Sequence, residues 1–350
     1  MKESNSVAKI RRRPSMRDVA SAAGVSEGAV SKVIRNAYGV SPAMRSRVQD
    51  AIDELGYRPS IAARSLRGSS FTVGLEIPQL GNDFYTQVME GAMSALTGSR
   101  YQLLLAPRPL DGPKGAAMEA LVDRQVDGLI IISAHVPQKR LDELASDVPL
   151  VLLGRHDESP KYDTIRNDDA VGVGLALEHL RSRGHRRIAH LTILPSAEDG
   201  MEYDSLTVRR ATYDRLMRRD GADPQVFFCG ASEADAYQAA LAILTSDSPP
   251  SAIFAGADML AIGVLRAVGE LGLADAVAIV GYDDIAIASH PFISLTTVNQ
   301  HGFAMGEEAV RLLMERINSG RTEANHPQLH PQLMIRRSTR PLGPVTGASG

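Results

Sequence analysis

The chain has 350 residues and a net charge of −3, with 44% of the residues hydrophobic and 23% charged. This length allows two or three folding units, and this composition is typical of an ordinary globular protein. The only cysteine, Cys229, excludes an intrachain disulfide and a zinc site built on a cysteine cluster. No apolar run approaches the about 18 residues that span a bilayer, and we expect neither a metal nor another cofactor.

The charge is distributed unevenly along the chain. Residues 1–70 contain 13 Lys/Arg and 6 Asp/Glu, whereas the remaining residues contain 25 and 35. A basic head on an acidic body favours contact between the head alone and a polyanion, although a solvated charged arm is the alternative. The opening stretch "MKESNSVAKIRRRP" lacks the apolar segment of a secretory signal, so we expect a cytoplasmic protein without membrane contact.

Three helices are predicted directly after this basic stretch. Ser15, Ser26 and Ser41 each stand where a side chain can cap the helix that follows. Asp18 lies three residues after Ser15 and completes a variant of the capping box. Gly24 supplies the turn between the first two helices.

The first two of these helices are predicted to form a helix-turn-helix. Small residues at their contact allow a close crossing, namely Ala20, Ala23, Gly24 and Ala29. Such a pair presents the second helix, over residues 26–34, to the major groove of DNA. A small structural bundle without a nucleic-acid partner is the alternative.

The segment that follows, "RPSIAARSLRGSS", favours DNA binding over the structural bundle. Pro59 begins a potential helix of barely two turns over residues 60–67, which is marginal in water without support. Arg64 and Arg67 accompany Leu66, and a leucine beside basic residues is typical of proteins that insert a side chain into the minor groove.

The motifs "DVASAAGVSEGAVSKVIRN", "VSPAMRSRVQDAIDELGYRP" and "AARSLRG", in this order and spacing, resemble the DNA-binding headpiece of the LacI/GalR family of bacterial regulators. The resemblance implies that the short segment is a hinge helix that folds on the operator. It implies that Leu66 is the intercalating leucine and that Arg67 takes a neighbouring minor-groove position. It also implies that Glu27, Gly28 and Lys32 occupy base-reading positions.

These three recognition-helix positions carry different chemistry. The Glu27 carboxylate can accept from a cytosine amino group, or it only stabilises the positive end of its helix. Lys32 can donate to guanine or to a phosphate, whereas Gly28 reads no base but lets the backbone approach DNA. Serines and the N-terminal arginines are expected to contact phosphates. The predicted DNA-binding residues are Arg17, Ser26, Glu27, Gly28, Ser31, Lys32, Asn36, Arg64, Leu66 and Arg67.

From Phe71 onward, apolar runs alternate with amphipathic stretches. The candidate strands are "FTVGLEI", "YQLLLA", "DGLIII", "PLVLLG", "RRIAHLTIL", "VFFCG", "AIFAG" and "AIVGYD". Continuously apolar strands that alternate with helices predict parallel sheets covered on both faces. About 270 residues of this pattern are more than a single hydrophobic core usually accommodates, so two lobes are expected.

The segments "VDGLIII", "GHRRIAHL", "AIFAGADMLAIGVLRAVGELGL", "AIVGYDD" and "ISLTTVNQHGFAMGEEAVRLLMERI" resemble the effector-binding body of the same family, which is similar to periplasmic sugar-binding proteins. The resemblance implies an α-helical helix-turn-helix headpiece plus an α/β two-lobed effector domain like that of periplasmic binding proteins, with parallel sheets and three crossovers. It also implies a ligand in the cleft between the lobes and a homodimer or tetramer.

The domain boundaries are predicted from the same motifs. The expected order is a basic arm (1–14), a helix-turn-helix domain (15–58), a hinge helix and linker (59–70), an effector-binding and dimerisation domain (71–340) and a tail (343–350). Within the effector domain, the N-lobe is expected over about 71–170 and 300–328, and the C-lobe over about 171–299 and 329–342.

Candidate effector-binding residues follow predicted strands, because ligands collect beyond the carboxyl ends of parallel strands. Phe84 and Tyr85 match a family aromatic that stacks on the ligand ring. We favour Phe84 for this role and a core position for its neighbour. Arg209 matches a ligand-gripping arginine, although the adjacent Arg210 leaves the choice open.

Polar residues at other strand ends are further candidates. Asp258 and Asp283 each follow a strand, where a carboxylate can accept two sugar hydroxyls. We favour Asp283 and expect Asp258 instead to cap the helix that begins at Met259. In "RNDD", Asn167 or Asp168 either bonds the ligand or holds the turn at a lobe crossover.

Two features depart from the family pattern. The acidic "SAEDGMEYDS" lengthens the segment between Ile188 and Arg209 and is expected to cover the cleft. Ala231 stands near a position where some members have an aromatic residue, which removes one wall of a flat-ring sandwich. The expected effector is therefore a sugar or a related polyol or acid rather than a purine.

No enzymatic motif accompanies these features. "GVGLAL" at Gly172 lies inside a helical pattern, and neither a phosphate-binding loop nor a nucleophile elbow is present. We therefore expect a non-enzymatic, sequence-specific repressor that binds a pseudo-palindromic DNA operator and a sugar-like effector, and that lies at the bacterial nucleoid when bound. The alternative is a cytoplasmic sugar-binding or metabolic protein with an incidental basic head.

Overall fold

The computed structural model describes residues 14–34, 37–57, 69–109, 112–194 and 204–339. The chain divides into two compact units, residues 1–70 and 71–350. Four of the predicted DNA-binding residues lie outside the described residues, namely Asn36, Arg64, Leu66 and Arg67. The same holds for the hinge helix, for most of the basic arm, and for nearly all of the acidic insertion.

The first unit contains the three predicted helices, Met16–Ala23 (α1), Glu27–Ile34 (α2) and Pro42–Leu55 (α3). Their caps are confirmed. The Ser15 backbone donates to the Asp18 carboxylate over 2.7 Å, and the Asp18 backbone donates back to the Ser15 hydroxyl. The Ser26 and Ser41 hydroxyls accept from backbone N–H groups in the first turns of α2 and α3. Each cap satisfies a donor that the helix itself cannot pair.

The core of this unit is made of valines and alanines. Val19, Val30 and Val48, one from each helix, are completely buried. The turn predicted at Gly24 is confirmed, but the close packing also predicted there is not, because a Cβ at that position would meet nothing within 4 Å. Glycine is needed there for its conformation, since φ is +64° and side-chain-bearing residues rarely adopt that region.

The second unit contains two sheets. The first sheet has six strands, Thr72–Ile77 (β1), Gln102–Pro107 (β2), Gly128–Ile132 (β3), Leu150–Leu153 (β4), Asp163–Asn167 (β5) and Gln328–Leu329 (β11). Their order is β11-β5-β4-β3-β1-β2, and all neighbours run parallel. Strands β3 and β4 are buried along their whole length, as expected for a sheet covered on both faces.

The second sheet also has six strands, Ile188–Ile193 (β6), Gln225–Cys229 (β7), Ala252–Ala255 (β8), Ala278–Tyr282 (β9), Thr296–Asn299 (β10) and Gln332–Met334 (β12). Their order is β12-β10-β9-β8-β6-β7, and β12 alone is antiparallel to its neighbour. The chain enters β12 from the end of β11, on the side where the other strands finish. It must therefore run against them.

Helices cover both sheets. They are Asp83–Leu96 (α4), Ala116–Asp123 (α5), Gln138–Asp147 (α6), Asp169–Ser182 (α7), Ser205–Arg219 (α8), Glu233–Leu244 (α9), Asp258–Glu270 (α10) and Gly302–Ser319 (α11). Helices α4 and α11 pack on each other beside the first sheet, and α7 and α8 pack on each other beside the second.

The chain passes between the sheets after β5, after β10 and after β11. The first passage leads from β5 into α7, the second from β10 into α11, and the third from β11 into β12. The three predicted crossovers are therefore confirmed. They place every lobe-to-lobe connection near the carboxyl ends of the strands.

Two glycines of α7 allow a matched test of this packing. A Cβ on Gly172 would lie 2.3 Å from the hydroxyl oxygen of Tyr282, which is completely buried, whereas a Cβ on Gly174 would meet nothing within 4 Å. We expect Gly172→Ala to lower the free energy of unfolding by about 2 kcal/mol. Gly174→Ala should raise it by about 0.5 kcal/mol, since alanine favours the helix. Denaturant unfolding measures both, and equal values would contradict the close approach of α7 to Tyr282.

Candidate effector cavity and nucleic-acid interface

The second unit contains a cavity at the carboxyl ends of strands from both sheets. It encloses about 1230 Å³ of empty space, including its opening to solvent. Its walls include Ile132 and Leu153 at the ends of β3 and β4, and Thr192 and Asp283 at the ends of β6 and β9. Ligands commonly bind in such a position in parallel α/β sheets.

Two aromatic rings stand at the cavity wall. Asn82 caps α4 by accepting from the Phe84 backbone over 3.0 Å, which fixes the first turn of the helix beyond β1. The rings of Phe84 and Tyr85 meet edge to face at 5.7 Å, and both residues line the cavity. Phe84 also belongs to the hydrophobic core. The structure thus brings both candidates to the cavity, and the preference for Phe84 stays a prediction.

Arg209 lies in the cavity wall on α8 and is only 4% exposed. Its guanidinium donates to Asp169 over 2.6 Å, to the Gly256 carbonyl over 2.8 Å and to the Gln300 side-chain oxygen over 3.2 Å. It also lies 3.6 Å above the ring of Tyr282. Burial disfavours its charge, but the nearby Asp169 overcomes this and raises the pKa of Arg209. The guanidinium is therefore charged and held in one orientation.

Asp169 was not predicted from the sequence, although it is the last residue of "RNDD". It is fully buried, and its second oxygen lies 2.8 Å from Nε2 of His156. Burial tends to raise the pKa of this carboxyl, but Arg209 and His156 lower it below its ordinary value. Asp169 therefore stays ionised and positions Arg209.

Asp283 faces the same cavity and is 2% exposed. One carboxyl oxygen accepts from the Gln300 amide over 2.5 Å, and the other has no hydrogen-bond partner among the described residues. Burial raises the pKa of this carboxyl well above its ordinary value, which favours the neutral form. An unpartnered buried oxygen at a cavity wall is ready to bond a ligand. Gln300, which joins Arg209 to Asp283, was also missed by the sequence analysis.

The other three candidates do not line the cavity. The prediction that Asp258 caps α10 was wrong, because the helix has no side-chain cap and Asp258 is its first residue. Its carboxylate instead accepts from the Thr297 hydroxyl over 2.6 Å and from the Ile285 backbone over 3.0 Å. Burial raises its pKa to about 7.

At the β5 crossover, the turn-holding interpretation fits the structure. The Asp168 side chain caps α7 by accepting from the Val171 backbone over 3.0 Å. The Asn167 amide donates to the Tyr282 hydroxyl over 3.0 Å and so connects β5 to β9. Neither residue contributes to the cavity wall.

Contacts across the cleft join the two lobes at the start of α8. The Ser205 hydroxyl donates to the Gly154 carbonyl over 3.2 Å, and Nε2 of His135 lies 3.7 Å from the Asp204 carboxylate. Gln87 on α4 donates to the Asp284 carbonyl over 2.9 Å. These polar contacts hold the lobes against each other around the cavity. Neither His135 nor Asp204 was predicted, because their proximity depends on two distant chain segments.

The candidate nucleic-acid interface is the outer face of α2. Ser26, Glu27, Gly28 and Lys32 are exposed, and so is Arg17 on α1. A Cβ on Gly28 would have only the Ser26 hydroxyl near it, at 3.8 Å, so the backbone is open to an approaching partner. Ser31 is 6% exposed, and its burial does not favour the phosphate contact predicted for it.

Tyr38 is a further exposed residue of this unit. It lies in the turn between α2 and α3 and its side chain is fully accessible. The sequence analysis missed it, although a tyrosine beside a glycine in a short turn has few partners within its own unit. None of the described helices is both long and apolar enough to cross a membrane.

The fold and the two sites together define a class of ligand-controlled DNA-binding proteins. Residues 15–60 match the family profile described as "Bacterial regulatory proteins, lacI family", and residues 177–339 match the "Periplasmic binding protein-like domain". The chain is 32% identical to the ribose operon repressor of Escherichia coli (strain K12), over 92% of this chain and 99% of that protein. The chain belongs to the LacI family.

Two solved structures extend the likeness to nearly the whole chain. The lac repressor dimer bound to operator and the anti-inducer ONPF has a TM-score of 0.76 and 26% identity, and the match covers 94% of this chain and all of that one. The complex of the transcriptional regulator CelR with cellobiose has a TM-score of 0.66 and 30% identity, covering 93% of this chain and all of that one. The predicted family and fold class are therefore confirmed.

Proposed function

We propose that this protein is a transcriptional repressor whose binding to operator DNA is controlled by a sugar-class effector. The observation that carries the proposal is the cavity in which Arg209 and Asp283 converge beside two aromatic rings. Aromatic faces suit the apolar face of a sugar ring, and a buried carboxyl with one unpartnered oxygen suits its hydroxyl groups. Phe84 or Tyr85 stacks on the ring, and Arg209 and Asp283 bond the hydroxyls.

The relatives support this assignment. One is named for a ribose operon, one is a complex with cellobiose, and one is a repressor dimer on its operator. By analogy, this protein acts as a homodimer on a pseudo-palindromic operator, with half-sites about 34 Å apart. The proposed domain roles are those predicted from the sequence, with residues 15–58 on DNA, 59–70 as the hinge and 71–340 as the effector domain.

The proposal also covers the residues that contact DNA. Glu27 and Lys32 read bases from the exposed face of α2, while Arg17 and Ser26 contact phosphates. In the hinge, Leu66 enters the minor groove between Arg64 and Arg67. A protein with this role catalyses no reaction, works in the cytoplasm and lies at the nucleoid when bound.

Lys32→Ala should separate base reading from general attraction to DNA. We expect it to weaken binding to the selected operator by about 30-fold, since a good base contact contributes roughly 1–3 kcal/mol. Binding to random DNA should change much less. Arg47→Ala is the matched control, because it removes the same charge from an exposed position on α3. Fluorescence anisotropy on an operator selected from a random oligonucleotide pool measures these affinities.

The same experiment tests the function itself. Addition of sugars such as ribose or cellobiose and their derivatives should change operator affinity, and one of them should do so at low concentration. If the selection yields no preferred sequence, or if no sugar or sugar derivative changes binding, the repressor assignment is wrong. A cytoplasmic sugar-binding protein with an incidental basic head would bind sugar but select no sequence.

A further inference from the structure

The cavity wall contains an arginine whose charge has no partner among the described residues. Arg210 lies in the wall beside Arg209 and is half-buried. Arg209 makes three side-chain contacts, whereas the Arg210 guanidinium forms no ion pair and no hydrogen bond with any described residue. Asp214, one helical turn further on, does not pair with it within 4 Å. A charged group that is partly removed from water normally forms an ion pair or a hydrogen bond. A bound anion would supply that partner to Arg210.

Arg210 lies on the inner side of α8. His190 is completely buried on β6 beneath this helix, and the positive charges of Arg209 and Arg210 both disfavour protonation of its ring. Arg209 and Arg210 both contribute positive charge to this part of the cavity wall.

A second unsatisfied polar group lies in the same wall. The Thr192 hydroxyl, at the end of β6, is buried and has no hydrogen-bond partner among the described residues. A Cβ on the neighbouring Gly256 would lie 3.2 Å from this oxygen, so a residue larger than glycine would crowd the hydroxyl. Ala231, with its small side chain, lines the cavity as well and leaves space there. Buried hydroxyls normally form a hydrogen bond, so the Thr192 hydroxyl is also available to an atom of a ligand.

None of the described acidic groups around the cavity forms an ion pair with Arg210. Asp169 is paired with Arg209 and His156, and Asp204 lies near His135 while it accepts from the Leu206 backbone. Burial raises the pKa of Asp283 well above its ordinary value, which favours its neutral form. An anion bound in this cavity would therefore find, among the described residues, one arginine and one hydroxyl without a partner.

We propose that the effector is a sugar that carries an anionic group, a carboxylate or a phosphate, and that Arg210 and Thr192 bind this group. The proposal rests on the proposed function in that the effector is a sugar bound in this cavity. Arg209 and Asp283 hold the neutral part of the molecule, and Arg210 distinguishes the anion from the parent sugar.

The test is calorimetric binding of matched sugars to the full-length protein. The sets are glucose, glucuronate and glucose 6-phosphate, and ribose, ribonate and ribose 5-phosphate. We expect one anionic sugar to bind at least about 30-fold more tightly than its neutral parent, as a charge-assisted hydrogen bond allows. The carboxylate and phosphate arms identify which anion is recognised.

The variants assign that preference to Arg210. Arg210→Gln should remove the preference for the anion while leaving the weak binding of the neutral sugar unchanged, and Arg210→Lys should retain part of it. Arg215→Gln is the matched control, because it removes the same charge from an exposed position on α8 and should change neither affinity. Thr192→Val should weaken the binding of the anionic sugar and leave the binding of the neutral sugar unchanged.

Two outcomes overturn the proposal and leave the proposed function intact. One is a neutral sugar that binds as tightly as its anionic derivatives and releases the operator. The other is an anionic sugar whose affinity is the same in the wild-type protein and in Arg210→Gln. If no member of either set binds or changes operator affinity, the anionic-sugar proposal fails, and the sugar-class assignment fails with it only if cellobiose and its derivatives are also without effect.

Discussion

Arg209→Leu should lower the free energy of unfolding by about 3–5 kcal/mol, because it leaves the fully buried Asp169 without its main partner. The Gly256 carbonyl and the Gln300 side-chain oxygen lose a donor at the same time. Urea unfolding followed by circular dichroism measures the change. His156 still contacts Asp169, so we expect a weakened protein and not an unfolded one.

A double variant separates the structural role of Arg209 from its role toward the effector. Arg209→Leu combined with Asp169→Leu removes both charges, so no uncompensated charge remains buried. We expect it to regain most of the lost stability but to remain unresponsive to the effector in the operator-binding assay. If the double variant is as unstable as Arg209→Leu, the ion pair with Asp169 is not the origin of the loss. If it still responds to effector, Arg209 does not hold the ligand.

Acidification should destabilise the wild-type protein much more than His190→Gln. Burial, together with the charges of Arg209 and Arg210, lowers the pKa of His190 to about 4 from 6.5. The ring is fully buried, it bonds the Phe254 carbonyl through Nδ1, and its other nitrogen has no partner among the described residues. A second proton would therefore have no acceptor in the folded state.

The sign of this effect follows from proton binding. Between pH 4 and 6.5 the unfolded chain binds a proton at this histidine and the folded chain does not, so stability falls as the pH falls. The loss over this range should amount to roughly 3 kcal/mol. The measurement is the difference in unfolding free energy between wild type and variant from pH 7 to pH 4.

The role of His190 is tested by how the difference in unfolding free energy between wild type and variant changes with pH, and not by its value at any one pH. His190→Gln also loses the ring stacked on Phe254, which lowers stability at every pH. His330→Gln is the matched control, because His330 is exposed and its replacement should leave the slope unchanged. Parallel pH profiles for wild type and His190→Gln would show that the buried ring is not the source of acid sensitivity.

The three helices of the first unit and their caps could be predicted from the sequence. The caps at Ser15, Ser26 and Ser41 depend on residues three positions apart, so the chain encodes them locally. At Gly24 the predicted turn is present and depends on a positive φ, whereas the close packing also predicted there is absent. A glycine in a sequence pattern does not by itself indicate whether it is needed for close packing or for a backbone conformation that other residues rarely adopt.

In the effector domain, the mainly apolar strands were predicted and the more polar ones were not. The eight candidate runs all became strands, because a mainly apolar run is stabilised by packing in a sheet. Asp163–Asn167, Thr296–Asn299, Gln328–Leu329 and Gln332–Met334 were missed. They are short and contain polar residues. They form strands only because the edge of an adjacent strand is available for hydrogen bonding.

By itself, the sequence determined the order of elements, the family and the strand ends at which Phe84, Arg209 and Asp283 were expected. Those properties depend on local patterns and on motif spacing. Only the tertiary structure decided what surrounds these residues: that Asp169 holds Arg209, that Gln300 links it to Asp283, and that Arg210 has no partner in the part of the chain that the structure describes. The physical reason is that a side chain's partners and its burial arise from segments brought together by the fold. No pattern within one segment contains that information.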